Sequence, residues 1–322
     1  MNNPDISIII VNWRVADLVE KNLHSIFTLT TNINYEVIVV DNSVSDGLGE
    51  LLIRKFSQQL SDGRFIYIEA EGNLGFAKGN NVGAQRARGR WLLFINPDME
   101  IRHDIFRSLY DYYYQLPAAA RGLLGTKLLY PSGETQATVK RDPDLLSQSL
   151  VLLKLHHLLA KRWPLSKYLA LDFDYNQSAE VEQLMGACIG VDRQLFWEKL
   201  GGWNEKFWLW WEDVDLCRTV RDLGLKNYYW PGATIIHYEG KSFGQELPLR
   251  KQLWFIRGMY LYFYYHLRGW RKLFLLSFLL TAPLSIFLSA LVQLAKIKPR
   301  AQGKLASTVA QTPDTNEPPD KN

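Results

Sequence analysis

The sequence predicts an α/β protein with a mostly parallel sheet flanked by helices. Three observations predict it. Apolar strand-like runs alternate with helical periods through the first 100 residues. Those runs are continuous rather than alternating, as in strands buried on both faces. Turn signals rich in Asp, Asn and Gly follow the runs, at the strand ends where open α/β sheets bind ligands.

Taken in order, Ser7–Val11 reads as a strand and Ala16–Phe27 as a helix. Tyr35–Val40 is a strand ending in the turn Asp41-Asn42-Ser43. Leu48–Leu60 reads as one helix and Phe65–Glu69 as a strand. After the loop Gly72–Gly75, Ala77–Arg88 is a helix. Trp91–Ile95 is a strand that stops at Asn96-Pro97-Asp98. Residues 120–240 are mixed, with an amphipathic stretch at Leu145–Ala160. Asp213–Leu223 is a helix with Val214, Cys217, Val220 and Leu223 on one face, and Gly224 is its natural stop. Asn227–Tyr229 and Ala233–His237 read as two strands around a Pro231-Gly232 turn.

Composition narrows the class. Of 322 residues, 47% are apolar and 22% charged, which excludes a mainly disordered chain. Net charge is +4, but unevenly placed. Gly240–Arg300 holds ten Lys/Arg and one acid, Glu246, giving +9; the other 27 basic and 32 acidic residues give −5. That balance argues against a nucleic-acid partner and for a basic end on an acidic-leaning globule. Cys188 and Cys217 lie in no C-x-x-C pair, which argues against a zinc site or disulfide framework and fits a reducing compartment. Met1–Asp5 has no basic region, and Ile6–Val11 is too short for a signal peptide.

Leu273–Ala295 is 23 residues without a charge. As a helix it would cover about 34 Å, slightly more than a hydrocarbon layer. It reads as a buried helix, a single span, or a re-entrant or interfacial pair broken at Pro283. Three basic residues on each flank give no orientation. The aromatic and basic run Trp254–Trp270 suits a membrane interface, or an amphipathic helix packed on the main domain. The expected organisation is a sheet domain over 1–245, membrane-associated helices over 246–300 and a disordered tail over 301–322.

Several residues could carry chemistry. Asp41 ends a strand, where a carboxylate can accept from a base or ribose, or form an Asx-turn with Ser43. Asn73-Leu-Gly-Phe-Ala-Lys-Gly-Asn-Asn81 runs from loop into helix, a place that favours anions, and Lys78 would add a point charge. It matches neither the dinucleotide nor the P-loop signature. Gly240-Lys241-Ser242 fails as a P-loop because the first glycine position is Ile235. Asp98 ends a buried strand and could hold a divalent cation. Glu212-Asp213-Val-Asp215 follows the apolar wall Trp208–Trp211 and starts a helix, so Asp213 could take a proton from a hydroxyl. His237 ends a strand as a core residue, or as a metal ligand beside a carboxylate such as Asp98.

Together these segments resemble family-two glycosyltransferases of the GT-A fold, and within them the bacterial rhamnosyltransferase-like branch. The resemblance runs from Ser7 to about Ser242. It rests on Ile-Ile-Val-Asn12-Trp, Val-Val-Asp41-Asn-Ser, the Asn73 segment, Ile-Asn96-Pro-Asp98, Gly201-Gly-Trp-Asn-Glu, Trp-Trp-Glu212-Asp213-Val-Asp-Leu and His237-Tyr-Glu-Gly-Lys-Ser242. It implies a nucleotide-sugar site at Asn12, Asp41, Asn73, Gly75, Lys78, Asn80 and Asp98. It implies Mg²⁺ or Mn²⁺ on Asp98 and His237, and Asp213 as general base with Glu212 beside it. Trp210 and Trp211 would wall the acceptor pocket. Asn96 departs from the family's D-x-D pattern, and Glu100 could compensate for the lost acid. Asn204 stands where Asp often follows the Gly-Gly-aromatic segment.

The function so implied is an inverting transfer of a sugar, rhamnose among the candidates, from a nucleoside-diphosphate sugar. The acceptor would be lipid-linked or a polysaccharide of the cell envelope. A lipid-linked acceptor and a basic C-terminal region would place the protein on the cytoplasmic face of the plasma (inner) membrane. Two rivals remain. A sugar nucleotidyltransferase would need a glycine-rich phosphate loop where Asn12-Trp-Arg-Val-Ala-Asp17 has no glycine. A membrane scaffold without turnover would not need the Glu212-Asp213 pair.

Overall fold

Every residue of β1 (Ile6–Asn12) and β2 (Tyr35–Asp41) is buried, which is why both read as unbroken apolar runs. The computed structural model describes residues 3–43, 47–239 and 247–297. Ser7 and Glu36, polar exceptions inside these strands, are register partners, and Ser7 Oγ donates to Glu36 Oε1 at 2.6 Å. α1 (Ala16–Leu29), α2 (Leu48–Lys55), α3 (Ser57–Ser61) and α4 (Gly75–Arg86) connect β1, β2, β3 (Phe65–Glu69) and β4 (Trp91–Ile95). The single helix expected over Leu48–Leu60 is divided at Phe56. That ring is buried against Phe27 and Phe65, which holds the backbone out of the helix.

The chain continues through β5 (Met99–Ile101), α5 (Phe106–Gln115), β6 (Arg121–Leu129) and β7 (Val139–Lys140). Then come α6 (Leu145–Leu152), α7 (His156–Leu159), α8 (Leu165–Tyr168), β8 (Ala179–Val181), β9 (Gln183–Leu184) and β10 (Cys188–Asp192). The amphipathic stretch at 145–160 is two helices, separated where Lys154 adopts φ 61°. The last elements are α9 (Glu212–Asp222), β11 (Lys226–His237), α10 (Pro248–His266) and α11 (Phe278–Ile297).

The nine-stranded sheet runs β3-β2-β1-β4-β10-β6-β11-β5, with β8 on β11. Its first four strands are parallel. β10 enters antiparallel between β4 and β6, so the sheet is mixed beyond β4. Gly190 makes this possible: a Cβ there would stand 1.9 Å from the Trp91 ring. β11 is one strand rather than the expected two. Pro231-Gly232 falls in a register shift between Trp230 and Thr234, a bulge that bends the strand without ending it.

Separate apolar cores cover the sheet's two faces. A third core joins Trp211 and Phe207 to Met259, Tyr262 and Phe263 of α10. The aromatic run of α10 is therefore packed on the main domain. The 273–295 run is split at Phe278, between tight turns over Gly269–Ser277 and α11. Pro283 lies inside α11, in its second turn, so the break expected there is absent. Among the described residues no helix is long and apolar enough to cross a membrane. The 240–246 segment, which carries Gly240-Lys241-Ser242, and the 301–322 tail lie outside the described residues.

Candidate active site

The carboxyl ends of β1 and β4, the start of α4 and the end of β11 enclose a cavity of about 310 Å³. Asn73, Gly75, Asp98 and His237 line it, with Trp13, Trp208 and Trp254 supplying aromatic walls. Gly75 is required twice. It adopts φ +78°, and a Cβ would meet the Trp208 carbonyl at 2.7 Å. Asn73 Oδ1 accepts from the Gly75 N–H at 2.9 Å and fixes this turn.

Asp41 and Asn12 lie behind the cavity wall rather than in it. Asp41 accepts from Asn12 Nδ2, the Ser43 N–H and the Tyr67 hydroxyl, each at 2.8 Å. The Asx-turn reading of Asp41 is thus realised, and the carboxylate ties β1 to β2 beneath Trp13 and Asn42. Asn80 is buried, and its amide donates to the Phe76 carbonyl one turn back. Lys78 is exposed on α4. Neither lines the cavity.

Asp98 and His237 meet although 139 positions separate them. His237 Nε2 is 3.3 Å from Asp98 Oδ1, and both side chains are nearly fully buried. Gln136 sets the histidine's orientation. Its Nε2 donates to the His237 carbonyl at 2.9 Å, so its Oε1 must be the atom 2.8 Å from Nδ1. An amide oxygen only accepts, so Nδ1 carries a hydrogen, and in the neutral imidazole that tautomer turns the Nε2 lone pair towards Asp98. A carboxylate oxygen beside an imidazole lone pair is a donor set for a divalent cation. Among the described residues no group of three His, Cys, Asp or Glu side chains could hold a metal. Asp98 and His237 therefore suit a cation completed by substrate oxygens. Asn96 Nδ2 is 3.5 Å from His237 Nε2. Glu100 does not compensate: it pairs with Lys21 at 2.9 Å, accepts from Tyr238, and lies outside the cavity lining.

Asp213 lines a second cavity, of about 360 Å³, together with Trp210 and Trp211. Trp210 belongs to both cavities and separates them. Trp210 and Trp211 adopt φ 63° and 73°, a left-handed pair that is rare for large residues. Such strain persists only where packing imposes it. Here Trp211 is buried against Phe255 and Tyr262, and Gly258 leaves room for its ring. The turn delivers Glu212 and Asp213 at the start of α9.

The two acids differ. Burial, with Asp213 and Asp215 close by, pushes the Glu212 carboxyl well above the usual range. Its Oε2 is buried without a partner. Burial also raises Asp213, but the N–H groups of Gly186 and Val214, at 2.7 and 2.8 Å, and the Lys140 charge oppose the rise. Glu212 is thus the member that keeps a proton, and Asp213 the member equipped to be an anion. A Cβ at Gly186 would lie 3.1 Å from Asp213 Cβ, so a glycine lets the β9–β10 loop reach the carboxylate.

Gln136, Trp254 and the residues opposite Asp213 (Thr138, Lys140 and Gln183) escaped the sequence reading. Trp254 had a visible signal in its aromatic run, which suited a membrane interface or a helix packed on the main domain without singling out this residue. The others stand in or near a two-residue strand that no periodicity marks.

Residues 7–126 match the family described as glycosyl transferase family 2. The low-salt glycan biosynthesis hexosyltransferase Agl10 of Haloferax volcanii is 27% identical over 67% of this chain and 62% of its own. The N-acetylglucosaminyl-diphospho-decaprenol L-rhamnosyltransferase of Mycobacterium tuberculosis is 23% identical over 74% of this chain and 78% of its own. An uncharacterized protein of Sinorhizobium fredii, y4gI, is 28% identical over 79% of this chain, which spans only 26% of its length. A mannosyltransferase from Pyrobaculum calidifontis, solved with GDP-Man and Mn²⁺, superposes with a TM-score of 0.54 at 17% identity, over 95% of this chain and 77% of that one. The architecture is the GT-A fold. Residues 7–126 carry the glycosyl transferase family 2 match, and the similarity to the hexosyltransferase and the rhamnosyltransferase extends beyond them.

Proposed function

We propose that the protein is an inverting hexosyltransferase of cell-envelope glycan synthesis, using a nucleoside-diphosphate sugar as donor. The acceptor is a hydroxyl on a lipid-linked or polysaccharide glycan, and rhamnose is the candidate donor sugar. One observation carries this reading: two cavities meet at Trp210, one holding Asp98 and His237, the other the Asp213 carboxylate. The hexosyltransferase and the decaprenol-linked rhamnosyltransferase among the relatives support it.

The donor fills the first cavity, its diphosphate towards Asp98 and the Gly75 turn. Asp98 and His237 would hold Mg²⁺ or Mn²⁺, which would offset the charge on the leaving diphosphate. Trp208, Trp210 and Trp254 exclude water, which limits hydrolysis of the donor. Asp213 takes the proton of the acceptor hydroxyl as that oxygen attacks the anomeric carbon. The Gly186 N–H holds the carboxylate in place during transfer. A thermal-shift panel of UDP-, GDP- and dTDP-sugars, with and without Mn²⁺, tests this assignment. One donor family is expected to raise Tm, more so with Mn²⁺. Absence of any metal-enhanced shift sinks the donor assignment.

The same reading places the protein on the cytoplasmic membrane surface. α11 turns its polar residues inward: Ser285 and Ser289 bond Gln252 of α10. Leu284, Phe287 and Leu291 are instead about half exposed, as are Tyr260 and Tyr264 of α10. Such an apolar face, with Arg257, Arg268 and Lys272 exposed in the same part of the chain, suits an anionic bilayer. The full chain is expected to float with vesicles of phosphatidylglycerol, and the triple change Leu284→Glu, Phe287→Glu, Leu291→Glu to stay behind. A wild-type chain that remains in the soluble fraction overturns the membrane assignment.

A further inference from the structure

The cavity around Asp213 contains groups that proton abstraction does not use. β7 and β9 pair as a separate two-stranded ribbon, in which Lys140 is the register partner of Gln183. Partners directly across a ladder stand on one face, and residues two apart share it. Thr138 and Met185 extend the same pattern, the Met185 N–H donating to the Thr138 carbonyl. All four residues line the cavity. This ribbon face is therefore the wall opposite Asp213.

The wall is rich in unused donors. Thr138 Oγ1 and Gln183 Nε2 are buried without hydrogen-bond partners, in residues 6% and 4% exposed. Lys140 has no carboxylate within 4 Å among the described residues, and its ammonium lies 5.7 Å from the centre of the Tyr168 ring. Asp213 and the Tyr168 hydroxyl influence it only through space. Unpaired buried donors cost stability unless a ligand satisfies them. Three donor groups, one of them cationic, match a group made of oxygen acceptors.

We propose that this cavity binds an acceptor that carries an anionic group, phosphate or carboxylate, near its attacking hydroxyl. Lys140 holds the anion, Gln183 and Thr138 donate to its oxygens, and the hydroxyl is left facing Asp213. The inference rests on the glycosyltransferase reading for the word acceptor, but its test needs no turnover. The charge selects the acceptor and leaves the donor site unaffected, because Lys140 lines the Asp213 cavity and not the one holding Asp98 and His237.

The test is titration calorimetry on the full chain with three ligands: glucose 1-phosphate, methyl glucuronide and neutral methyl glucoside. At least one anionic ligand is expected to bind about tenfold more tightly than the neutral one, the worth of one charge-assisted hydrogen bond. Preference for the phosphate points to phosphate-linked acceptors, and preference for the glucuronide to acidic sugars. Lys140→Met should erase the preference, Lys140→Arg retain most of it, and Gln183→Leu reduce it. Equal or undetectable binding of charged and neutral ligands overturns the proposal. So does a preference unchanged in Lys140→Met, which would place the anion elsewhere. A failed donor panel beside a Lys140-dependent anion preference would strike the transferase reading and leave this subsite standing.

Discussion

Asp213→Asn is expected to lower kcat by roughly 10²- to 10⁴-fold, the usual contribution of a positioned general base. Donor binding should be nearly unchanged, because Asp213 lines the second cavity and not the one holding Asp98 and His237. The fold should survive with one bond fewer: the Gly186 and Val214 N–H groups donate to different carboxylate oxygens, and the single amide oxygen keeps one of the two. Burial raises the Asp213 carboxyl, so the wild-type rate should climb with pH through a value above the ordinary carboxylate range. The variant should lose that limb. Transfer and donor binding must be measured separately, and near-normal transfer in the variant removes Asp213 from the mechanism. Glu212 carries the opposite burden. Its raised folded-state pKa means that its protonated form stabilises the fold fully below the unfolded pKa. That contribution is lost as pH rises through the folded value. A buried acid that costs stability at higher pH is expected at a site built for proton transfer.

The parts that sequence reading recovered are those set by local patterns. β1 to β4 were legible because each is an apolar run bounded by turn residues, and the helices between them keep their period. Asp98, Asp213 and His237 were legible as polar residues at element ends, and the structure places them there, lining the two cavities. What failed depends on distant contacts. β10 is five residues with a glycine at its centre, and only the Trp91 ring lying over Gly190 explains why it belongs in the sheet. Lys140 and Gln183 became neighbours through pairing between segments 43 residues apart, which no window along the chain can see. α10 supported two readings for a physical reason. A helix that packs aromatic residues onto Trp211 and presents tyrosines outward has the composition of an interfacial helix on both faces. Its inner face lines both cavities, through Trp254 in one and Phe255 in the other.

Asp98→Asn should abolish the Mn²⁺-enhanced stabilisation by nucleoside diphosphate and lower kcat/KM about 10²- to 10³-fold, comparable to losing one key electrostatic contact. The substitution removes the carboxylate that stands 3.3 Å from His237 Nε2, and Asn96 is already a neutral amide. Gln136→Leu is the sharper test, because Gln136 lines neither cavity. Without its Oε1 the imidazole can place its hydrogen on Nε2 and turn the bond to Asp98 into an ordinary N–H···O contact. Orienting partners of this kind typically change metal affinity 10- to 100-fold, so Mn²⁺ affinity should fall by about that factor. The Asp213 limb of the pH profile should stay in place, since Gln136 does not line the Asp213 cavity. Mn²⁺ titration of the full chain with nucleoside diphosphate reads the first effect, and pH–rate profiles read the second. If Gln136→Leu leaves Mn²⁺ affinity intact while Asp98→Asn destroys it, His237 is a core residue and Asp98 alone holds the cation. If neither change alters Mn²⁺ affinity, the cation binds elsewhere and the two buried side chains serve the fold.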